Sequence, residues 1–297
     1  MAERISACIV CRDEADKLER CLATTGWVDE VVVLDLESGD GSGEVAARHG
    51  AAVHRRPPVP IVELVRNEVA ALASSDWILV LDPDERLAPG LEAALREAAA
   101  DDGCDAVVIP RTNFDLGHPP SHPSQRYEPQ LRMYRRSRVA WPTVPNALPS
   151  VPEERVRRLP DRDDLVILHD RSRNIVEVLD RSIRYAPAQA QSMLDRGEVF
   201  SAKAMAAALW RETDAKLLGP RAWRDGLPGL LRAGILVGFK FHVWVELWQR
   251  SGGARTAEDD RFVARLGRGL EAVRAGTVVA RRLTGAAGAV RRRGRAG

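Results

Sequence analysis

Three short apolar runs set the rhythm of the first hundred residues. Residues 5–11, 31–34 and 77–81 are nearly unbroken in hydrophobic side chains, the last reading Trp-Ile-Leu-Val-Leu before it stops at Asp82-Pro83-Asp84-Glu85. Runs of this length, bounded by polar turns, read as strands buried on both faces, as in parallel sheets. Between them the period lengthens to that of a helix. Leu18, Cys21 and Leu22 fall at i, i+3 and i+4 behind Asp13, a residue type that caps helices. Residues 44–49 predict a helix stopped by Gly50, residues 61–74 another, and residues 89–100 a third with proline in its first turn. Short strands are expected at 52–54 and 105–110. This order predicts an α/β fold with a doubly wound, mostly parallel sheet.

From residue 113 to 164 the rhythm breaks. Prolines recur at 119, 120, 123, 129, 142, 145, 149, 152 and 160, which predicts long ordered loops around a short strand at 131–134. Such loops on a rigid sheet usually carry substrate contacts. One more strand is expected at 165–168, ending at His169-Asp170, followed by helices at 175–190 and 199–218. A helix at 227–249 is apolar on most faces, with Trp244 and Trp248 one turn apart on one side and Trp223 ahead of it. Past Ser251 the composition turns to arginine, alanine and glycine, and disorder is expected beyond residue 283. The chain divides into a sheet domain at 1–172 with acceptor loops at 113–164, a helical region at 173–252 and a basic, partly disordered tail at 253–297.

The chain has 297 residues, 45% hydrophobic and 29% charged, the balance of a soluble globular protein. Four cysteines in a chain this long make no disulfide framework, which points to a reducing compartment. Cys8 and Cys11 form a C-x-x-C, but they lie inside the first apolar run and no second pair exists to complete a zinc site. The first residues enter a strand without a secretory leader. The longest apolar stretch without charge, residues 233–239, is too short to span a bilayer. A cytoplasmic location is expected. Net charge is +2, yet eleven arginines face four acids past Gly253, an excess of seven that leaves residues 1–252 at −5. A basic tail behind an acidic body suits an anionic partner. Tryptophan, arginine and an apolar helix together suit an anionic membrane surface, so peripheral docking at the inner face of the cell membrane is expected. The same helix could instead pack on the sheet or on a partner subunit, a homo-oligomer included. Aromatic RNA-binding motifs are absent, so no nucleic acid is expected.

The chemistry gathers at strand ends. The first strand ends Arg12-Asp13-Glu14, the second Asp35-Leu36-Glu37-Ser38-Gly39-Asp40-Gly41-Ser42, the fourth Asp82-Pro83-Asp84-Glu85. Adjacent parallel strands would set these side by side, where open α/β sheets bind ligands. Asp82 and Asp84 are two apart, and Pro83 biases Asp82 to extended backbone, so both carboxylates can project to one side. Such a pair can hold a hard divalent ion that keeps positions open for substrate phosphates. The plain alternative is a polar turn that caps the next helix. Glycines 39, 41 and 43 lack the dinucleotide spacing and follow the second strand, not the first. A nucleotide held by acids at its base and ribose, and by a metal at its diphosphate, suits the rim better.

These segments resemble the inverting family 2 glycosyltransferases of the GT-A fold, most of all the bacterial branch acting on lipopolysaccharide core or related glycolipids. The resemblance rests on Arg12-Asp13-Glu14, on Val32-Val33-Leu34-Asp35 with Ser38-Gly39-Asp40-Gly41-Ser42, on Arg66-Asn67, and on Asp76-Trp77 through Asp82-Pro83-Asp84-Glu85-Arg86-Leu87. Gln130-Leu131-Arg132-Met133-Tyr134-Arg135-Arg136, Leu168-His169-Asp170 and Trp223-Arg224-Asp225-Gly226 continue it over residues 5–250. The resemblance implies that Glu14 and Asp35 contact the base and ribose of a nucleotide-sugar, UDP-linked, with Asp40 nearby and Arg66 near the diphosphate. It implies that Asp82 and Asp84 bind Mn²⁺ or Mg²⁺, and that His169 completes the metal shell or touches phosphate. The acceptor would be a lipid-linked or cell-surface glycan.

The acceptor side departs from the family pattern. Asn146-Ala147 stands where relatives have His-Glu, and Glu128-Pro129 where they have Pro-Asp. Glu128 is therefore the candidate catalytic base, ahead of Asp115, acting with Asp84 in catalysis. Two other readings use the same features: a nucleotidyltransferase or phosphohydrolase on these carboxylates, and a non-catalytic, membrane-associated nucleotide-sugar binder.

Overall fold

The computed structural model describes residues 3–120, 122–142 and 149–293. The expected strand–helix alternation is built as Ile5–Cys11 (β1), Ala15–Leu22 (α1), Glu30–Asp35 (β2), Ser42–Arg48 (α2), Ala52–Arg55 (β3), Arg66–Leu72 (α3) and Trp77–Leu81 (β4). Then come Glu85–Leu87 (β5), Leu91–Ala99 (α4), Ala106–Asp115 (β6), Pro123–Arg126 (α5), Glu128–Arg135 (β7), Val156–Arg158 (β8) and Ile167–Ser172 (β9). The helices Ile175–Asp195 (α6), Ala202–Thr213 (α7), Gly226–Arg250 (α8) and Ala257–Arg293 (α9) follow.

The chain forms two compact units, one of Met1–Glu177 with Ala222–Arg232, the other of Val178–Arg221 with Ala233–Gly297. The first unit contains the sheet, ordered β3-β2-β1-β4-β7-β6-β9-β5, with β8 beside β6. Its β3-β2-β1-β4 half is parallel, as expected. The other half is mixed, because β7 runs antiparallel to both β4 and β6 and β5 runs antiparallel to β9. No crossover helix is needed where the chain simply doubles back, and the loop-rich stretch after β6 allows that. The α/β expectation therefore holds with a mixed sheet.

Alternation along the strands separates two cores. Ile5, Ala7, Ile9 and Cys11 of β1 join Trp77, Leu79 and Leu81 of β4 on one face. Cys8 joins Ile78 and Val80 on the other. Cys8 and Cys11 thus lie on opposite faces of one strand, and burial pushes each thiol up to about 12. They are inert core residues and not a redox or metal pair.

Two elements that the apolar pattern did not predict set the geometry that follows. β5 was expected to be loop, and β9 to stop before His169. Instead β5 pairs with β9, Glu85 opposite His169, and the amide of Asp170 donates to the Asp84 carbonyl at 2.8 Å. Likewise β7 begins at Glu128 and not near residue 131, with Glu128 opposite Arg111 of β6.

In the second unit, Ala186, Ala190 and Met193 of α6 pack with Ala208 of α7 and Val243, Trp244 and Leu247 of α8. Trp244 is buried and meets Phe200 edge to face, ring centroids 6.2 Å apart, and Trp248 meets the same ring at 6.5 Å. The tryptophan face expected to meet a membrane is here a core contact. In the tail, Ala257–Arg293 is assigned as a helix. Alanine, arginine and leucine are strong helix formers, so a tail that looks low in complexity still has high helical propensity. Among the described residues, no helix is long and apolar enough to cross a membrane.

Candidate active site

The ends of β1, β2 and β4 lie together, and hydrogen bonds tie the loops that leave them. Asp13, expected to cap α1, takes a left-handed backbone (φ 53°) and accepts from the Gly39 amide at 2.8 Å. Asp40 does the capping instead. Its Oδ2 accepts from the Ala15 amide at the start of α1 at 2.8 Å, and its Oδ1 from the Ser42 amide and hydroxyl at 3.0 and 2.6 Å. Burial opposes ionisation of Asp40, but these bonds outweigh it and lower its pKa. Asp35 is fully buried, accepting from the Ser38 amide at 2.9 Å and from Arg55 Nε at 3.0 Å. In this arrangement Asp35 and Asp40 brace the loop that follows β2. Glu14 faces the β4 end. Burial raises its carboxyl, Lys17 at 3.3 Å opposes that rise, and the charges of Asp84 and Asp82 add to it.

At the end of β4 the two aspartates have different partners. Asp82 Oδ2 accepts from Arg132 at 2.7 Å, and its Oδ1 lies 3.6 Å from Arg66. Burial would raise this carboxyl; the charges of Arg132 and Arg66 overcome that and hold it well below the usual range. Arg66 stacks over Trp141 at 4.9 Å, and Asn67 fixes that residue by bonds to its carbonyl and amide at 2.7 and 2.9 Å. Asp84 Oδ2 instead faces His169 Nε2 at 3.4 Å. Burial opposes its ionisation too, and the bond and charge of His169 prevail, lowering its pKa.

Further polar residues, Arg111 and Asn113 among them, join these groups into a ring. Glu85, at 0% exposure, binds Arg132 and, at 3.1 Å, Arg111. Arg111 reaches Glu128 Oε2 at 2.8 Å, and Asn113 Nδ2 donates to the same oxygen at 2.8 Å. Asn113 Oδ1 then meets His169 Nδ1 at 2.6 Å. The polar chain therefore runs Asp82–Arg132–Glu85–Arg111–Glu128–Asn113–His169–Asp84 and closes on the β4 end. Glu128 keeps a side chain 46% exposed, with Oε1 outside these bonds. Burial raises its carboxyl, and the bonds from Asn113 and Arg111 bring it below the usual value. Asp115, the second candidate base, is buried against Arg171 at 3.2 Å and Ser172 at 3.4 Å. Asn146 and Ala147, where the acceptor side departs from the family pattern, lie outside the described residues.

Among the described residues, no three His, Cys, Asp or Glu side chains converge to hold a metal on their own. Asp84 and His169 do fit one ion in part: ligands at about 2.1 Å from an octahedral centre stand about 3 Å apart, close to their 3.4 Å. The remaining positions would fall to substrate oxygens. Asp82, the other expected ligand, faces Arg132 at 2.7 Å and Arg66 at 3.6 Å. Arg111 and Asn113 escaped the sequence reading, and the pairing of Glu85 with Arg132 was not foreseen, because the partners are distant in the chain. An acid within an apolar strand pattern was the one signal available.

Residues 6–152 match the family model described as glycosyl transferase family 2. A TPR repeat-containing protein of Synechococcus elongatus is 35% identical over 136 residues, 44% of this chain and 34% of that protein. The chain thus matches about a third of that relative's length. An uncharacterized glycosyltransferase of Rickettsia felis is 24% identical over 208 residues, 67% of this chain and 73% of that protein. Among solved structures, a mannosyltransferase from Pyrobaculum calidifontis in complex with GDP-Man and Mn²⁺ is 16% identical, with a TM-score of 0.43, covering 91% of this chain and 81% of the other.

Proposed function

We propose that the chain, whose residues 6–152 match the model of glycosyl transferase family 2, moves a sugar from a nucleoside diphosphate, UDP-linked, to a hydroxyl of a lipid-linked or cell-surface glycan, with inversion. The observation that carries this reading is the closed ring, which sets an anchored carboxylate, Glu128, on the same network as the Asp84–His169 pair. The bond from the anomeric carbon to the diphosphate oxygen breaks while the acceptor oxygen bonds to that carbon from the opposite face. Glu128 takes the acceptor proton as the sugar passes through an oxocarbenium-like state. Arg66, buried beside Asp82, faces the leaving diphosphate and stabilises its growing charge. Asp84 and His169 would hold Mn²⁺ or Mg²⁺, which when bound supplies Lewis-acid stabilisation of the leaving phosphate. Arg111 and Asn113 keep Glu128 ionised and fixed in place.

Glu128→Gln is expected to lower kcat roughly 10²–10⁴-fold, the usual contribution of a general base, while binding of the nucleoside diphosphate stays at the parent value. Because the Glu128 pKa is depressed, its base form persists on acidification and is lost only below the ordinary glutamate range near about 4.3. Parent-like turnover in Glu128→Gln would remove it from this role.

Access to a lipid-linked acceptor is supported by Trp223, Leu227, Leu230 and Leu231, exposed apolar residues at and before the start of α8 within the catalytic unit. These, in place of Trp244 and Trp248, would meet the inner face of the membrane. The parent chain is expected to float with phosphatidylserine vesicles, and Leu227→Asp/Leu231→Asp to abolish that flotation. Equal flotation of both proteins would refute this surface.

A further inference from the structure

An arginine as buried as Arg66 is normally paired and hydrogen-bonded. Arg66 opens α3 and is 8% exposed, yet the Asp82 Oδ1 that it faces stands 3.6 Å away, too far for a hydrogen bond. Among the described residues its Nε has no hydrogen-bond partner. The guanidinium rests over the ring of Trp141, whose centroid lies 4.9 Å from Arg66 Cζ. Trp141 is buried, and its indole N–H is likewise without a partner among the described residues. Its ring packs against Tyr134, centroids 5.8 Å apart, and its backbone is held by Asn67, which bonds the carbonyl at 2.7 Å and the amide at 2.9 Å. Two successive residues of α3 therefore grip one tryptophan, Arg66 at its ring and Asn67 at its backbone.

Resting on the transferase reading above, we infer that Trp141 is a positioning residue that holds the Arg66 guanidinium in place without using its N–H donors, which leaves them to the leaving diphosphate. A second carboxylate at this point would neutralise the charge and occupy the donors. An aromatic face stabilises the cation and does neither. Trp141 follows β7, the strand that begins at Glu128 and supplies Arg132 to the other oxygen of Asp82. The chain that carries the proposed base thus also fixes both arginines beside Asp82, one directly and one through the indole.

The test measures binding of UDP with Mn²⁺, and of inorganic pyrophosphate with Mn²⁺, to the full chain by calorimetry. Trp141→Leu keeps the position apolar and removes the ring face, and should weaken both probes about 2–30-fold, the range of one cation–π contact. Trp141→Phe returns an aromatic face and should recover most of that loss, since the indole N–H it lacks has no partner. A double-mutant cycle with Arg66→Met separates positioning from packing. If Trp141 acts through Arg66, Trp141→Leu costs nothing further once the guanidinium is gone. A tryptophan that only fills the core would cost the same in both backgrounds. Asn67→Ala leaves the ring in place and should show the same dependence on Arg66, so the cycle can be read even where Trp141→Leu does not fold. Parent-like affinity in Trp141→Leu, or an equal loss in the Arg66→Met background, overturns the role of Trp141 and leaves the donor site standing. A parent chain that binds pyrophosphate but not UDP counts against the UDP donor alone, and the cycle is then read with pyrophosphate. Binding of neither probe to the parent chain removes the transferase reading and the role of Trp141 together.

Discussion

Asp84→Asn is expected to abolish metal-dependent nucleoside diphosphate binding and to lower sugar transfer about 10²–10³-fold, the scale of losing one strong electrostatic contact to a developing oxyanion. The substitution preserves shape and removes only charge. It leaves His169 without its anionic partner at 3.4 Å and leaves the β4 end with Asp82, which Arg132 and Arg66 already neutralise. The fold should tolerate the change well. Glu14 and Asp82 crowd Asp84 with like charge, as the raised Glu14 carboxyl records after the burial that is its main cause. The midpoint of thermal unfolding should therefore stay near the parent value while function is lost. Activity within a few-fold of the parent would exclude Asp84 from the donor site.

Glu85→Ala should instead strike stability. Its side chain is fully buried and is the common partner of Arg132, itself 3% exposed, and of Arg111. Its second oxygen also accepts from the Asp82 amide at 3.1 Å. Removing one member of a buried ion cluster leaves uncompensated charge, a cost of about 3–5 kcal/mol. Against a total stability of about 5–15 kcal/mol, that puts the variant near the edge of folding. Urea titration should show a lower midpoint at an unchanged slope. A loss below about 1 kcal/mol, the scale of an exposed pair, would mean the cluster is not the support described. Glu85→Gln keeps an acceptor and should fall between the two.

The contrast between these neighbours marks how far the sequence could be read. Trp77–Leu81 announced itself as a buried strand because five apolar residues stand in a row, and the position of Asp82 and Asp84 at its end followed from that. Glu85 follows them as the first residue of a strand the pattern did not predict, since an acid at zero exposure contradicts the rule that buried positions are apolar. Its arginine partners lie 26 and 47 residues downstream, and no spacing rule connects them. His169 was legible as a strand-end residue, but its place beside Asp84 depends on the unforeseen pairing of β5 with β9. Asn113 bore no motif at all. The bond from the Ala15 amide to Asp40 was not legible, because holding a ligand and capping a helix across a loop require the same short carboxylate.

The donor half of the site can be tested without knowing the acceptor. The full chain is heated with UDP, GDP or dTDP, each with and without Mn²⁺, and its unfolding midpoint followed. One nucleoside diphosphate should raise the midpoint only when Mn²⁺ is present. At a hundredfold excess over Kd the stabilisation is about 2.7 kcal/mol, a rise of roughly 5–10 °C for a chain of this size, and it should vanish in Asp84→Asn. No rise with any of the three nucleotides, with or without the metal, would contradict a nucleotide-sugar site at the end of β4.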